Sequence, residues 1–140
     1  MNIKLKRFLD AQKEDYQTAL NEIKSGKKRS HWMWYIFPQV AGLGFSETSK
    51  YYAINDIEEA KEYLNHEILG SRLKQISNEL LKLKENNAKE IFGSPDHFKL
   101  KSSMTLFVCA DRETKIFQKV LDKYFQGSLD NRTIEILEGS

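Results

Sequence analysis

Apolar residues return at every third or fourth position along most of this chain, and that spacing commits it to helices. Leu5, Phe8, Leu9, Gln12, Tyr16, Ala19, Leu20 and Ile23 fall on one face of a helical turn, with Lys and Glu between them. Leu69, Leu73, Ile76, Leu80 and Leu83 step by four and three in a second seam, with Leu81 on its flank. That seam is too short for a free coiled coil, so it is expected to be the central core helix. No segment alternates apolar and polar residues between hairpin signals, so any sheet would be minor. The expected fold class is all-α, a compact single-domain bundle of about six to eight helices.

Punctuation between the helical stretches supports this reading. Ser25-Gly26 closes the first helix, glycine supplying the left-handed cap. His31 to Phe37 is too apolar for a solvated loop and is stopped by Pro38, so it reads as a buried short helix or turn. Gly42 and Gly44 mark a loop that must pack closely, and Ser46 is placed to cap a short helix through Tyr51-Tyr52. Asp56 with Glu59 three residues on has the form of a capping box, and Asn65-His66 ends the helix it opens. Asn86-Asn87 breaks the leucine seam, and Ile91-Phe92-Gly93 closes a turn. Ser94-Pro95 has the order of an N-cap and a first-turn proline for a helical region carrying Phe98, Leu100, Met104, Leu106, Phe107 and Val108. Ile116 to Tyr124 forms another helix, closed by Gly127, and Asp130 is placed to cap the last turn, Ile134 to Leu137. Glu58, Glu59 and Glu135 read as ordinary helix-surface charges.

Composition narrows the class of function. A chain of 140 residues is the size of one domain, with 40% apolar and 30% charged residues, which excludes disordered and fibrous classes. Twenty-two Lys and Arg against 20 Asp and Glu leave a net charge of +2, too small to gather nucleic acid or anionic membrane by a global field. Any anion site must be local. One cysteine, Cys109, cannot form an internal disulfide, and no apolar run approaches a membrane span. The start of the chain lacks the apolar core of a signal peptide, so a reducing cytoplasm is the expected location.

The familiar reaction motifs are missing. His31, His66 and His97 are scattered, without CxxC or HExxH spacing, so no metal and no cofactor are expected. Cys109 lies in an apolar run and reads as a buried structural thiol. Gly42-Leu43-Gly44 lacks the rest of a dinucleotide fingerprint, and Ser25-Gly26-Lys27-Lys28 is not a Walker loop.

Two dense segments remain. Arg29 to Gln39 gathers a cation, a hydroxyl, an imidazole, two indoles, a tyrosine and a phenylalanine. Its indoles either fill the core, with His31 as a helix cap, or stack a base or sugar face while Arg29 meets an anion. Ser94 to Thr105 gathers hydroxyls, Asp96, His97, Lys99 and Lys101 around a helix start. Those groups either cap and solvate the helix or bind an anion there, with Asp96 as a base or a ribose acceptor. Two such segments in one small domain point to a shared cleft.

Lys28-Arg29-Ser30-His31-Trp32-Met33-Trp34-Tyr35-Ile36-Phe37-Pro38-Gln39, followed by Gly42-Leu43-Gly44, closely resembles the signature of a bacterial domain-of-unknown-function family, number 1810. Ile91 to Asp96 and Lys99 to Phe107 resemble its second signature. Tyr52-Ala53-Ile54, Glu59-Ala60, Tyr63-Leu64, Leu69 to Leu73, Asp130 and Thr133 also fit, so the likeness runs from about Leu5 to Leu137. It implies a small helical protein without an established reaction; the "calpastatin" label sometimes attached to such proteins has no support in these residues. It also implies a fold similar to that of YbiA-like proteins, which act on ADP-ribose or related N-glycosides. No catalytic residue carries over from that group.

The leading expectation is a small-molecule enzyme or binder for a nucleotide-sugar or ADP-ribose-like ligand, with N-glycosidic hydrolysis as its reaction. Trp32 and Trp34 would stack the ligand, Arg29, Lys99 and Lys101 would hold phosphate with Ser102 beside them, and His31 or Asp96 would move a proton or stabilise an oxocarbenium-like centre. The alternative is a non-catalytic interaction domain that uses the aromatic segment 31–38 for a partner protein. A weaker third reading, single-stranded nucleic acid stacked on the aromatics, is opposed by the near-neutral charge.

Overall fold

A computed structural model describes residues 3–139. Among them the chain is all-α, with one isolated parallel bridge, Val40 to Ile54, in place of any sheet. A turn of 3-10 helix at Ile3–Leu5 leads into α1 (Lys6–Lys24), followed by α2 (Met33–Ile36), α3 (Glu47–Tyr51), α4 (Ile57–Asn65), α5 (Glu67–Lys82), α6 (Ala88–Phe92), α7 (Asp96–Ala110), α8 (Ile116–Phe125) and α9 (Asn131–Glu138). That makes nine α-helices among the described residues, because the Trp-rich run and the two loop segments each form a turn or so of their own. No helix of the described residues is long and apolar enough to cross a membrane.

The first helix follows the sequence closely. Phe8, Gln12, Tyr16, Ala19, Leu20 and Ile23 are its buried face. Gln12 belongs in that stripe because its amide is satisfied there: Nε2 donates to Tyr35 O at 2.8 Å and to Tyr63 Oη at 2.9 Å. Side-chain caps form where the pattern placed them. Ser46 Oγ accepts from Ser49 N, Asp56 Oδ1 from Glu59 N, and Asp130 Oδ2 from Thr133 N. His66 ends α4 and caps α5, its Nδ1 accepting from Ile68 N at 3.1 Å and Leu69 N at 3.3 Å.

Three expectations change. The central helix is α7 rather than α5, since α7 packs against α4, α6, α8 and α9 while α5 meets α1, α4 and α8. Nine of its fifteen residues are buried, including Ser102, Ser103 and Thr105, so its apolar pattern is not one-sided and shows no seam to a periodicity argument. Ser94 does not cap α7: the Ser94-Pro95 peptide is cis and Pro95 occupies the cap position without a side-chain bond. Glu59 is no surface charge. It is 3% exposed and pairs with Arg7 at 3.1 Å, a guanidinium that also donates to the carbonyls of Lys4, Tyr51 and Ala53. Together with the Val40–Ile54 bridge, this pairing ties the segment after α3 to α1 and to the loop after α2.

Candidate functional site

The two signature segments meet through charge. Lys28 Nζ lies 2.8 Å from Asp96 Oδ2, and Lys99 Nζ lies 3.0 Å from Asp96 Oδ1, so one carboxylate joins the loop before α2 to the first turn of α7. Burial alone would raise the Asp96 pKa, but hydrogen bonds and charge from the two lysines outweigh it and hold the carboxyl below its ordinary range. Lys28 also donates to Ser30 O at 2.5 Å and sits 5.0 Å from the Trp32 ring centre.

Glu22, which the spacing of α1 does not single out, shapes the same loop. Its carboxylate accepts from Arg29 N, Ser30 N, Ser30 Oγ and Trp32 Nε1 at 2.5–3.0 Å. Burial pushes this acid upward, yet the four donors prevail and bring it from 4.5 down to about 2. The loop is thereby folded around an ionised side chain. Trp32 follows from it: 1% exposed, its indole packs against Phe37 and Phe92 and has no face left for a ligand.

Trp34 has the other fate. Half-buried, it lies beneath the Lys99 ammonium, 4.2 Å from the ring centre, and lines two neighbouring depressions. The outer one, about 210 Å³, is walled by Trp34, Gln39, Leu43, Pro95, Phe98, Lys99, Ser102, Asp130 and Arg132. An inner one of about 90 Å³ shares Trp34, Gln39 and Leu43 and continues along Val40 to Gly44 to Ser49, Tyr52 and Ala53. A glycine suits that wall at position 44, because a Cβ on Gly44 would stand 2.6 Å from Ser49 Oγ and 3.2 Å from the Trp34 ring.

In the outer groove, Ser102 Oγ donates to Asp130 Oδ2 at 3.1 Å, and Thr133 donates to the same oxygen through N and Oγ1. Thr105 Oγ1 accepts from Asp130 N, so the acid is fixed from both sides, and none of these bonds uses Asp130 Oδ1. Arg132 is exposed and makes no ion pair or hydrogen bond with the described residues. Phe98 is 60% exposed, and its ring centre lies 3.9 Å from that of His97.

Of the residues singled out by sequence, Trp34, Lys99 and Ser102 line the groove, and Asp96 stands behind it holding Lys99. Arg29 and His31 are exposed away from its lining, and Lys101 turns toward Phe125, 5.9 Å from that ring centre. Gln39, at the end of the first dense segment, Asp130, in the closing element, and Arg132 complete the groove, although none of the three was singled out as a ligand-binding residue by the sequence. Among the described residues, no cluster of three or more His, Cys, Asp or Glu side chains is placed to hold a metal ion. Cys109 is half-buried, and burial raises its thiol pKa.

A family model described as a protein of unknown function, DUF1810, matches residues 2–137. The chain also superposes on the crystal structure of the conserved hypothetical protein Rv1873 from Mycobacterium tuberculosis, with a TM-score of 0.96 and 42% identity over 99% of each chain. No functionally curated protein matches it.

Proposed function

The chain belongs to the DUF1810 family, and from the chemistry of the groove around Trp34 we propose that it binds a small phosphorylated sugar of the nucleotide-sugar or ADP-ribose-like class. The observation that carries this reading is the convergence of Lys99 and Arg132 with Trp34, Phe98 and Asp130 in one depression. Two cations suit a phosphate, exposed ring surface suits a sugar or base face, and a fixed carboxylate suits a ribose hydroxyl. The outer depression, about 210 Å³, falls below the roughly 300 Å³ at which sites for drug-sized ligands begin, so it suits the phosphorylated part of a small sugar rather than a whole nucleotide.

Binding is better supported than turnover. Hydrolysis of an N-glycosidic bond, expected from a resemblance to YbiA-like proteins that none of the matches above names, needs a carboxylate against the sugar to meet developing positive charge. Asp130 is the acid that lines the groove; Asp96, with a lysine on each oxygen, is a positioning residue for those cations. The protein-interaction alternative draws less support, because Trp32, Met33, Ile36 and Phe37 are in the core and offer a partner no aromatic stripe.

A thermal-shift series with ribose 5-phosphate, ADP-ribose, NAD and free nucleotides tests the reading. A ligand at a hundred times its dissociation constant adds about 2.7 kcal/mol of stability. Phosphorylated sugars should stabilise the protein, free ribose should not, and Trp34→Ala and Arg132→Ala should each abolish the shift. No shift with any of these compounds would refute the proposal and turn attention to protein partners.

A further inference from the structure

Two buried side chains of the described residues, Gln39 and Ser103, carry a polar atom without a hydrogen-bond partner, and of the two Gln39 is the one that lines the groove. It is 6% exposed, its Nε2 is buried without a hydrogen-bond partner, and its side chain makes no hydrogen bond with the described residues. Its main-chain carbonyl, by contrast, accepts from Ile54 N at 2.8 Å. A buried amide donor without a partner is destabilising, so its presence in the wall of a groove calls for a use. Gln39 lines both the inner and the outer depression, which places that use at their junction.

The inner depression sets what can enter. At about 90 Å³ it is smaller than the roughly 150 Å³ cavity that accepts a benzene ring, so no nucleobase fits. No carboxylate lines it, and its one cation, Lys50, is exposed to solvent, so an anion there would be desolvated without a buried counter-charge. A neutral group of a few atoms remains. An amide both gives and takes a hydrogen bond, which is the pattern a hydroxyl complements.

We infer that Gln39 is the specificity-determining residue of the groove: its amide hydrogen-bonds a hydroxyl of a short neutral sugar end seated in the inner depression, while Lys99 and Arg132 hold the phosphate in the outer one. The inference rests on the phosphorylated-sugar reading and adds the orientation of the ligand and the feature by which it is selected. The inner depression holds about 90 Å³, so a bulkier end is refused there.

Two probes separate this inference from the reading beneath it. Titrations with inorganic phosphate and with ribose 5-phosphate are compared in the wild type, Gln39→Leu, Gln39→Met and Arg132→Ala, while the Gln39 side-chain amide signals are followed by NMR and assigned by their loss in Gln39→Leu. The wild type should bind ribose 5-phosphate at least tenfold more tightly than phosphate, with the Gln39 signals shifting for the sugar phosphate alone. Both Gln39 variants should bring that ratio close to one at unchanged phosphate affinity, and Arg132→Ala should weaken both probes. The melting temperature of Gln39→Leu should equal or exceed that of the wild type. An unchanged ratio in the Gln39 variants, static Gln39 signals in the sugar-phosphate complex, or a fall of several degrees in Gln39→Leu each overturns the inference while leaving phosphate binding standing. A wild type that binds neither probe overturns the phosphorylated-sugar reading itself, and this inference with it.

Discussion

Single carboxylates, each answering to several donors, hold the loops of this protein. Glu22 makes the case most sharply, because its four donors include the indole N–H of a tryptophan with almost no exposure. Glu22→Ala strands that donor in the core, and the expected loss in urea denaturation is about 2 kcal/mol. The pH dependence has a definite sign. The folded-state pKa of about 2 lies below the ordinary 4.5, so the stabilisation is complete above 4.5 and fades as pH falls toward 2. In Glu22→Gln the acid limb of stability between those values should be shallower than in the wild type; curves that superpose below pH 4.5 would show that another acid governs it. Asp96 behaves in the same direction, through Lys28 and Lys99. Asp96→Asn at neutral pH should cost about 2 kcal/mol, because Lys28, with 8% of its side chain exposed, would lose its carboxylate partner.

At the scale of elements, helix ends and loops carry the specificity. Lys123, on α8, donates to the carbonyls of Leu80, Leu81 and Leu83 at the end of α5, where orphan carbonyls and the negative end of the helix dipole favour a cation. Lys123→Met should lower stability by about 2 kcal/mol, and a loss near zero would mean that solvent satisfies those carbonyls equally well. Gly44 fixes the glycine loop differently. Gly44→Ala should destabilise by about 1–3 kcal/mol through its clash with Ser49, and Gly44→Ala/Ser49→Gly should recover most of that, since the clashing atoms are the Ser49 side chain. Much at this scale was legible in the sequence. The faces of α1, α4, α5 and α8 and the caps at Ser46, Asp56 and Asp130 depend on neighbours within four residues, which a linear pattern displays; the cap that His66 gives α5 was read only as the end of α4. The prominence of α7 was not, because a helix covered on several sides loses the one-sided period that marks amphipathic helices, and its serines and threonines resemble surface positions until packing partners are known.

Over the whole molecule, the groove is a product of distant segments: Trp34 to Gly44, Ser49 to Ala53, Pro95 to Ser102, and Asp130 with Arg132. Trp34, Lys99 and Ser102 were legible because they sit in residue-dense strings. Gln39 closes the first of those strings, but its role, like that of Asp130 and Arg132, comes from contacts across the fold that no local spacing records, and Trp32 lost its expected role to a glutamate ten residues upstream. What keeps these segments in register is a small set of long-range struts, of which Arg7–Glu59 is the most buried, with 10% and 4% of the side chains exposed. Arg7 reaches the carbonyls of Tyr51 and Ala53, while Glu59 also accepts from Asn55 N, so the pair holds the wall that carries Tyr52 and Ala53. Removing one partner leaves a charge in a site built for two, at a cost of about 3–5 kcal/mol. Arg7→Met and Glu59→Gln should therefore each destabilise strongly, and the double variant should lose less than their sum, with a coupling of about 1–3 kcal/mol by urea denaturation. Arg7 lies outside both depressions, yet Arg7→Met should also weaken ribose 5-phosphate binding relative to phosphate, because the wall that moves belongs to the inner depression and not to Lys99 and Arg132. Equal weakening of the two probes would place the effect on the whole fold instead, and additivity in the cycle would mean that each residue acts through its backbone partners alone.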